Sequence, residues 1–401
     1  MKKALSILLV LALAFSFAAC GSTNDTPSGT QDVPASNSEA VESDNAANQI
    51  FPAETVYIGV PVYDESDSEF ILLKEYFEYL EDNLNIKFVY SEAIGDADDE
   101  IAFIENCSVN GCSAIFDTYD VIGSSVIDIC AGHGMYYLGS PSDMGTEDSE
   151  LYEQYKNNEY WLGGASTGGD ASYERGYLTG KFVAESGYQN VVYTSGGAVM
   201  GIDLFVQMRN GFFAALEEYG FDGELTEITG FPSDDWYAQQ ATALADMSID
   251  CIASGLGGIT FWVQPIMSAE RTDSLDLVAL GGALDDVYYN AYRDGVVNYI
   301  LVNNTQIRSY SIVCLLNALN GDLDVVKPDG VSRLLGIFSW EVTDAEGFEK
   351  IYEMSLNERI LNVDDIRSMI KALNPNATFE ANAKLVTEKD LDVIAARHAA
   401  Y

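Results

Sequence analysis

From Thr55 onward the chain alternates short β-branched runs with longer segments whose apolar residues recur at helical spacing. Thr55 to Val62 is the first such run, closed by the polar stretch Tyr63 to Ser68. A helix is predicted next, capped by Asp67 or Ser68, with Phe70, Leu73, Tyr76, Phe77, Leu80 and Leu84 on one face. Strand patterns follow at Ile86–Tyr90, Ser113–Phe116, Met135–Leu138 and Tyr160–Leu162, with helical patterns up to Asn106 and near Val121–Ala131. The pattern then restarts. Asp170 opens a helix through Ala184, "NVVYTSGG" reads as a strand and turn, and "IDLFVQMRNGFFAALEEYG" as an amphipathic helix stopped by Gly220. Further strands are expected near Leu225–Ile228, Cys251–Gly255 and Leu277–Leu280. Such alternation is the signature of parallel sheets covered by helices on both faces. Because the unit at 55–90 is echoed at 190–228, two similar α/β lobes are predicted.

Beyond Val302 the pattern gives a helix over Gln306–Leu319, a further passage near Asp322–Gly330, and then a largely helical remainder. Thr343 and Glu346 have capping-box spacing, Asn362 is placed to cap a second helix that Pro375 ends, and Thr387 to start a third.

The segment ahead of these lobes is different. After Lys2 and Lys3, Ala4 to Ala19 is apolar apart from Ser6 and Ser16. That falls short of the ~20 residues a membrane-spanning helix needs and has the shape of an export signal. The tetrapeptide Phe17-Ala18-Ala19-Cys20 resembles the lipobox of bacterial lipoproteins. That resemblance implies an acylated Cys20 as the mature N-terminus and a lipid anchor as the protein's contact with the membrane. From Gly21 to Ile50 there is no Lys, Arg or aromatic residue. Such a stretch buries too little apolar surface to offset the entropy of ordering it, so a solvated tether is expected through residue 53.

Composition narrows the function. The 48% apolar content is that of a globular body, and the net charge of −43 argues against a nucleic-acid partner. Cys107 and Cys112 lie close enough in sequence for a disulfide, although free thiols are the plainer reading; Cys130, Cys251 and Cys314 read as small core residues. With two histidines and no paired C-x-x-C, neither a metal nor another cofactor is expected.

Parallel sheets offer ligands the loops at the carboxyl ends of their strands. Here those loops are rich in Gly, Ser, Asp and Tyr, suited to a polyol: aromatic faces for its apolar ring face, and directed hydrogen bonds for its hydroxyls. The stretches "VYIGVPVYDESDSEFILLKEYFEYLEDNLNIKFVYSEA", "IENCSVNGCSAIFDTYD", "YERGYLTGKFVAESGYQNVVYTSGG", "MRNGFFAALEEYG" and "DLVALGGALDDVYYNAYRDGVVNYILVNN" resemble, in order, landmarks of the type I periplasmic sugar-binding proteins over roughly residues 54–320. The resemblance implies two lobes joined by three crossovers, here near Ala165–Gly169, Asn303–Thr305 and Asp322–Gly330. It also implies a small polar ligand, a sugar foremost, held in the cleft by hinge closure and delivered to an ABC-transporter permease, with the protein acting as a monomer and not as an enzyme. By position, Tyr63, Asp64, Phe70, Tyr119, Ser142, Trp236, Asp285 and Asn303 are the candidates to line that cleft. The implied layout is a leader at 1–19, the acylated cysteine and tether at 20–53, one lobe from 54–165 with 304–322, a second from 166–303 with 323–340, and a helical extension at 341–401.

Two other functions are open to the residues. The same fold could serve as an exported sensor that presents its ligand to a receptor. In another class, Gly164-Ala165-Ser166-Thr167-Gly168 matches the G-x-S-x-G of serine hydrolases, with His398 late in the chain as a candidate base. Against that, Gly169 and Asp170 separate the motif from its helix. "GYLTGKF" has part of a phosphate-binding loop but lacks its first Gly and its Ser/Thr, so no nucleotide chemistry is expected from it.

Overall fold

Val56–Val62 (β1) is buried at every position except Tyr57, the pattern of a central parallel strand covered on both faces. The computed structural model describes residues 51–166, 170–196, 202–280, 284–342 and 344–401; the leader, Cys20 and the tether up to Ile50 lie outside them. Phe51–Ala53, expected in the tether, join the folded body, Phe51 packing on the core and its carbonyl accepting from Asn85 N–H at 2.9 Å. α1 (Ser68–Asn83) follows, with the Asp67 carboxylate accepting from the Phe70 N–H, and it buries Leu73, Tyr76, Phe77 and Leu80 as the spacing predicts. β2 (Ile86–Ala93), α2 (Ala97–Val109), β3 (Ala114–Phe116), α3 (Ser125–Gly132), β4 (Tyr136–Leu138), α4 (Glu150–Tyr155) and β5 (Trp161–Ser166) complete the first run.

The second run comprises α5 (Asp170–Ser186), β6 (Asn190–Ser195), α6 (Asp203–Glu218), β7 (Glu224–Thr229), α7 (Asp234–Ala245), β8 (Cys251–Ser254), α8 (Gln264–Ser268), β9 (Asp276–Ala279), α9 (Asp286–Arg293) and β10 (Tyr299–Asn303). The chain continues through α10 (Tyr310–Leu319), β11 (Arg333–Gly336), β12 (Ser339–Val342), α11 (Ala345–Glu353), α12 (Val363–Ser368), α13 (Phe379–Val386) and α14 (Leu391–His398). Two six-stranded sheets result, ordered β11-β5-β4-β3-β1-β2 and β12-β10-β9-β8-β6-β7. Every pairing is parallel except that of β12, which lies antiparallel to β10.

The third crossover is not where the sequence suggested. Residues 322–330 form two 3₁₀ turns on the first lobe, where Lys327 Nζ donates to Asn158 O at 2.7 Å and Ser332 Oγ to Trp161 O at 2.6 Å. β11 then extends the first sheet beside β5, so the chain changes lobes only between Gly336 and Ser339. The 323–340 segment is thereby divided between the lobes. It hid in the sequence because two four-residue strands on either side of a crossing read as one irregular stretch.

In the C-terminal extension Asn362 caps α12 as predicted, forming a capping box with Asp365. α11 is capped by Asp344, whose carboxylate accepts from Gly347 N–H at 2.6 Å; Thr343 lies outside the described residues. Thr387 starts no helix. Its hydroxyl turns back to Ala383 O at 2.8 Å at the end of α13, while Asp390 accepts from the two N–H groups that open α14.

The glycines of "GYLTGKF" serve packing. A Cβ on Gly176 would drive into the Met208 carbonyl, and one on Gly211 into the Tyr173 carbonyl, so α5 and α6 cross in backbone contact. Cys107, Cys112, Cys130, Cys251 and Cys314 are buried free thiols.

Trp236 is a core residue, against the cleft position expected for it. It is 1% exposed, edge-on to Trp262 at 5.8 Å and to Phe261 at 5.7 Å. Asp234 and Asp235 occupy the first turn of α7, capped by Ser233, where carboxylates favour the positive helix end and stay exposed. The ring leaves the other side of the helix, so exposed acids beside it carry no information about its own face. Trp236→Ala is expected to destabilise the ligand-free protein by about 3–5 kcal/mol, read as a lowered melting temperature, with ligand affinity unchanged in the protein that remains folded.

Candidate functional site

The carboxyl ends of β1 and β3 bring together Tyr63, Asp64, Phe70 and Tyr119, four of the eight predicted cleft residues, around a cavity of about 400 Å³. The Tyr63 and Tyr119 rings lie 4.8 Å apart, tilted by 42°. Asp64 folds its own loop, accepting from Ser66 N–H at 2.8 Å and Ser66 Oγ at 2.7 Å, and these bonds hold its carboxyl below the usual range. Phe70 meets Tyr90 edge-on at 6.0 Å. Asp67, Glu69, Leu73, Thr118, Phe205 and Arg308 also line the space. Phe205 comes from the second lobe and Arg308 from the second crossover, so the cavity lies between the lobes.

The other four candidates have different places. Asp285 caps α9, accepting from Tyr288 N–H at 2.8 Å, and its carboxylate reaches Ser68 across the cleft; burial raises its pKa. Asn303 ends β10, almost fully buried, and hydrogen-bonds Glu69. Ser142 works one layer behind the cavity: its N–H and Oγ donate to Asp120 at 2.8 and 2.7 Å, while its carbonyl accepts from Asp203 N–H of the second lobe at 3.4 Å. Trp236 is in the core, as above.

Charges that the sequence reading passed over define the floor. Glu69 stands between Asn303, Arg175 from α5 and Arg308; burial raises its pKa and Asp67 adds to that, while both guanidiniums and Asn303 oppose it. Arg175 is itself 6% exposed and its pKa is lowered by burial, with Glu69 opposing. Arg308 donates from Nη2 to Asp117 O at 3.0 Å. The signal was available: a guanidinium three residues past the expected crossover at Asn303–Thr305 is conspicuous in a chain with 20 basic and 63 acidic residues.

Behind the floor, three carboxylates pin the loops, Glu100 and Asp120 buried and Asp117 half-buried. Glu100 accepts from Val121 and Ile122 N–H at 2.7 and 3.2 Å, Asp120 from Gly123 N–H at 2.9 Å, and Asp117 from Ser140 N–H at 3.1 Å. Gly139, at φ +111°, leaves the room Asp117 occupies, which a Cβ would fill. Burial pushes Glu100 up to about 7 and Asp117 up to about 7, the latter against the opposing charge of Arg308. Among the described residues no cluster of His, Cys, Asp and Glu is arranged to hold a metal ion.

The serine–histidine pair gains no support. His398 Nε2 lies 2.9 Å from Asp365 Oδ2 within the extension, beside Arg397 at 2.7 Å from the same carboxylate, whereas Ser166 closes β5 in the first sheet.

This architecture is shared with solved sugar-binding proteins. A carbohydrate-transporter solute-binding protein from Agrobacterium radiobacter, in complex with D-arabinose, is 16% identical with a TM-score of 0.54, over 77% of this chain and 98% of that one. An ABC-transporter periplasmic solute-binding protein from Actinobacillus succinogenes with bound D-allose is 16% identical with a TM-score of 0.54, over 74% and 99%. The periplasmic component of the arabinose ABC transporter from Shewanella sp. ANA-3 is 13% identical with a TM-score of 0.55, over 76% and 96%. No protein-family model matches the chain, and no curated protein matches it. The fold is therefore the two-lobe type I fold of periplasmic solute-binding proteins. To it this chain adds a helical C-terminal extension.

The raised carboxyls make a pH prediction. A carboxyl whose pKa is raised on folding stabilises the fold most below its unfolded value, near 4.5 for Glu100, and loses that contribution as pH rises through about 7. Glu100→Gln keeps an acceptor oxygen for Val121 and Ile122 without the buried charge. The variant is expected to melt higher than the parent at pH 8 and to match it more closely at pH 5, in thermal unfolding at both values.

Proposed function

We propose that this protein is an extracytoplasmic solute-binding lipoprotein that captures a small polar solute, a sugar foremost, between its lobes and delivers it to an ABC permease. The observation that carries this reading is the interlobe cavity of about 400 Å³, lined by the Tyr63–Tyr119 pair, Phe70, Phe205, acidic side chains and Arg308. Its size fits a small solute. Aromatic rings flank it, and carboxylates with one guanidinium supply acceptors and donors for hydroxyl groups. The fold neighbours, crystallised with arabinose and allose, support the same ligand class. Tyr63, Asp64, Phe70 and Tyr119 are the contacts carried forward from the sequence. Asp285 and Asn303 act at the lobe junction, and Ser142 supports a cleft loop. Among the described residues no helix is long and apolar enough to cross a membrane, and acylation of Cys20 supplies attachment in this reading.

A thermal-shift screen of monosaccharides, nucleosides and amino acids tests the ligand class. A true ligand at a hundred times its Kd stabilises by about 2.7 kcal/mol, and stabilisation by amino acids alone would displace the sugar reading. With the ligand in hand, Tyr119→Ala is expected to cost about 2–4 kcal/mol of binding, the range of a buried aromatic anchor. That is roughly 30- to 1000-fold in Kd by titration calorimetry, with apo melting little changed.

Attachment is tested separately. Labelled palmitate is expected to enter the full-length protein expressed in a bacterium and not its Cys20→Ala variant. Equal labelling of both would place the anchor elsewhere.

A further inference from the structure

The chain passes between the lobes a fourth time. Leaving β12 in the second sheet, α11 lies on α9, with Phe348 edge-on to Tyr289 and Tyr292 and the Tyr352 ring stacked 5.0 Å from Tyr289. Past the π-helical turn Met354–Glu358, the same chain belongs to the first lobe. There Leu361 O accepts from Tyr76 Oη at 2.7 Å, and Val363 N–H donates to Tyr79 Oη at 2.9 Å. α12 continues on that lobe, where Met369 O accepts from Asn317 Nδ2 at 3.1 Å.

This passage is clasped to the second crossover. Gln306 donates from Nε2 to Ser355 O at 2.8 Å and accepts at Oε1 from Ile360 N–H at 2.7 Å. Asn304 donates from Nδ2 to Ser355 Oγ at 2.7 Å. Asn304, Gln306, Ser355 and Ile360 are all buried. Arg359 leaves the π turn at φ +68°, a left-handed backbone that a side-chain-bearing residue adopts at a cost. Hinge motion requires crossing segments to absorb φ/ψ change. A segment held by buried amide hydrogen bonds strong enough to keep that backbone in place has little freedom to do so, because turning it would leave buried polar groups unpaired.

We propose that Met354–Leu361 is a fourth crossover acting as a strap. Clasped to Asn304 and Gln306, it limits the opening of the lobes and keeps the ligand-free protein near its closed arrangement. The inference concerns lobe motion, so its test needs no ligand and is independent of the sugar reading.

Spin labels at Val109→Cys in the first lobe and Met247→Cys in the second, both strongly exposed, are introduced into full-length Cys20→Ala protein, whose remaining thiols are buried. Double electron–electron resonance without ligand is expected to give one narrow separation. The Asn304→Ala/Gln306→Ala protein is expected to give a longer and broader one, while Lys371→Ala, which breaks only the surface pair with Asp324, leaves it unchanged. A broad, extended distribution in the parent, or an unchanged one in the folded double variant, overturns the strap. Should circular dichroism show the double variant unfolded, Ser355→Ala decides. It removes the hydroxyl that accepts from Asn304 Nδ2 and keeps the Gln306 bonds to Ser355 O and Ile360 N–H; a longer separation is expected, and an unchanged distribution overturns the proposal equally.

Discussion

Glu69, Arg175 and Arg308 come within electrostatic range of one another from three distant parts of the chain, and the cleft depends on their opposing charges being set together. Glu69 rides on the first turn of α1, Arg175 on the first turns of α5 and Arg308 just past the second crossover. Of the three, Arg175 is the one that is buried, and Glu69 opposes the lowering of its pKa by that burial. The constraint is sharper in a chain of net charge −43, where two acidic lobes repel one another at close range. Two of the few guanidiniums stand where the lobes meet. There they offset Glu69 and allow the Ser68–Asp285 and Ser142–Asp203 contacts to form across the cleft. Phe205 and the Tyr63–Tyr119 pair can then face one shared cavity.

A second tier of carboxylates gives that cavity its shape. The loops after β3 and β4 contain few apolar residues to pack, so side-chain acceptors do what a core would otherwise do. Glu100, Asp117 and Asp120 between them hold the N–H groups of Val121, Ile122, Gly123, Ser140 and Ser142. These bonds lower the carboxyl pKa values while burial raises them, and for Glu100 and Asp117 burial wins. The loops are rigid at the expense of charge burial, a trade suited to a site that must keep its shape before ligand arrives.

The lobes were legible because their signal is periodic and repeated. The stripe from Phe70 to Leu80 and the buried run Ile58–Val62 each satisfy a strict spacing, and the restart near Asp170 declares the second lobe. At the site, Tyr63, Asp64, Phe70 and Tyr119 were readable because topology alone places strand-end loops at a cleft. What stayed hidden depends on contacts between distant segments. Arg175 lies on a helix face whose partners, the Ile337 carbonyl and the charge of Glu69, come from distant segments, and Trp236 is core because Trp262 and Phe261 arrive from another element. The third crossover was hidden by the brevity of β11 and β12. The extension was partly readable through Asn362, yet Thr387 and Asp390 are both plausible caps, and only the direction in which each side chain turns distinguishes them.

Asp117 ties these tiers to the ligand chemistry. Its carboxyl holds the Ser140 N–H behind the cavity, its carbonyl accepts from Arg308, which lines the cavity, and its pKa is pushed up to about 7. Near neutrality it is populated both as a carboxylate, which only accepts, and as a carboxylic acid, which also donates. A solute in the cleft changes that balance. A neutral solute that excludes water from the floor without donating to the carboxyl raises it further, and binding takes up protons. A solute carrying an ammonium group stabilises the carboxylate and releases them. The sign of proton exchange on binding therefore reports whether desolvation or a donor and positive charge dominates at the floor, because the floor couples its own titration to whatever occupies it.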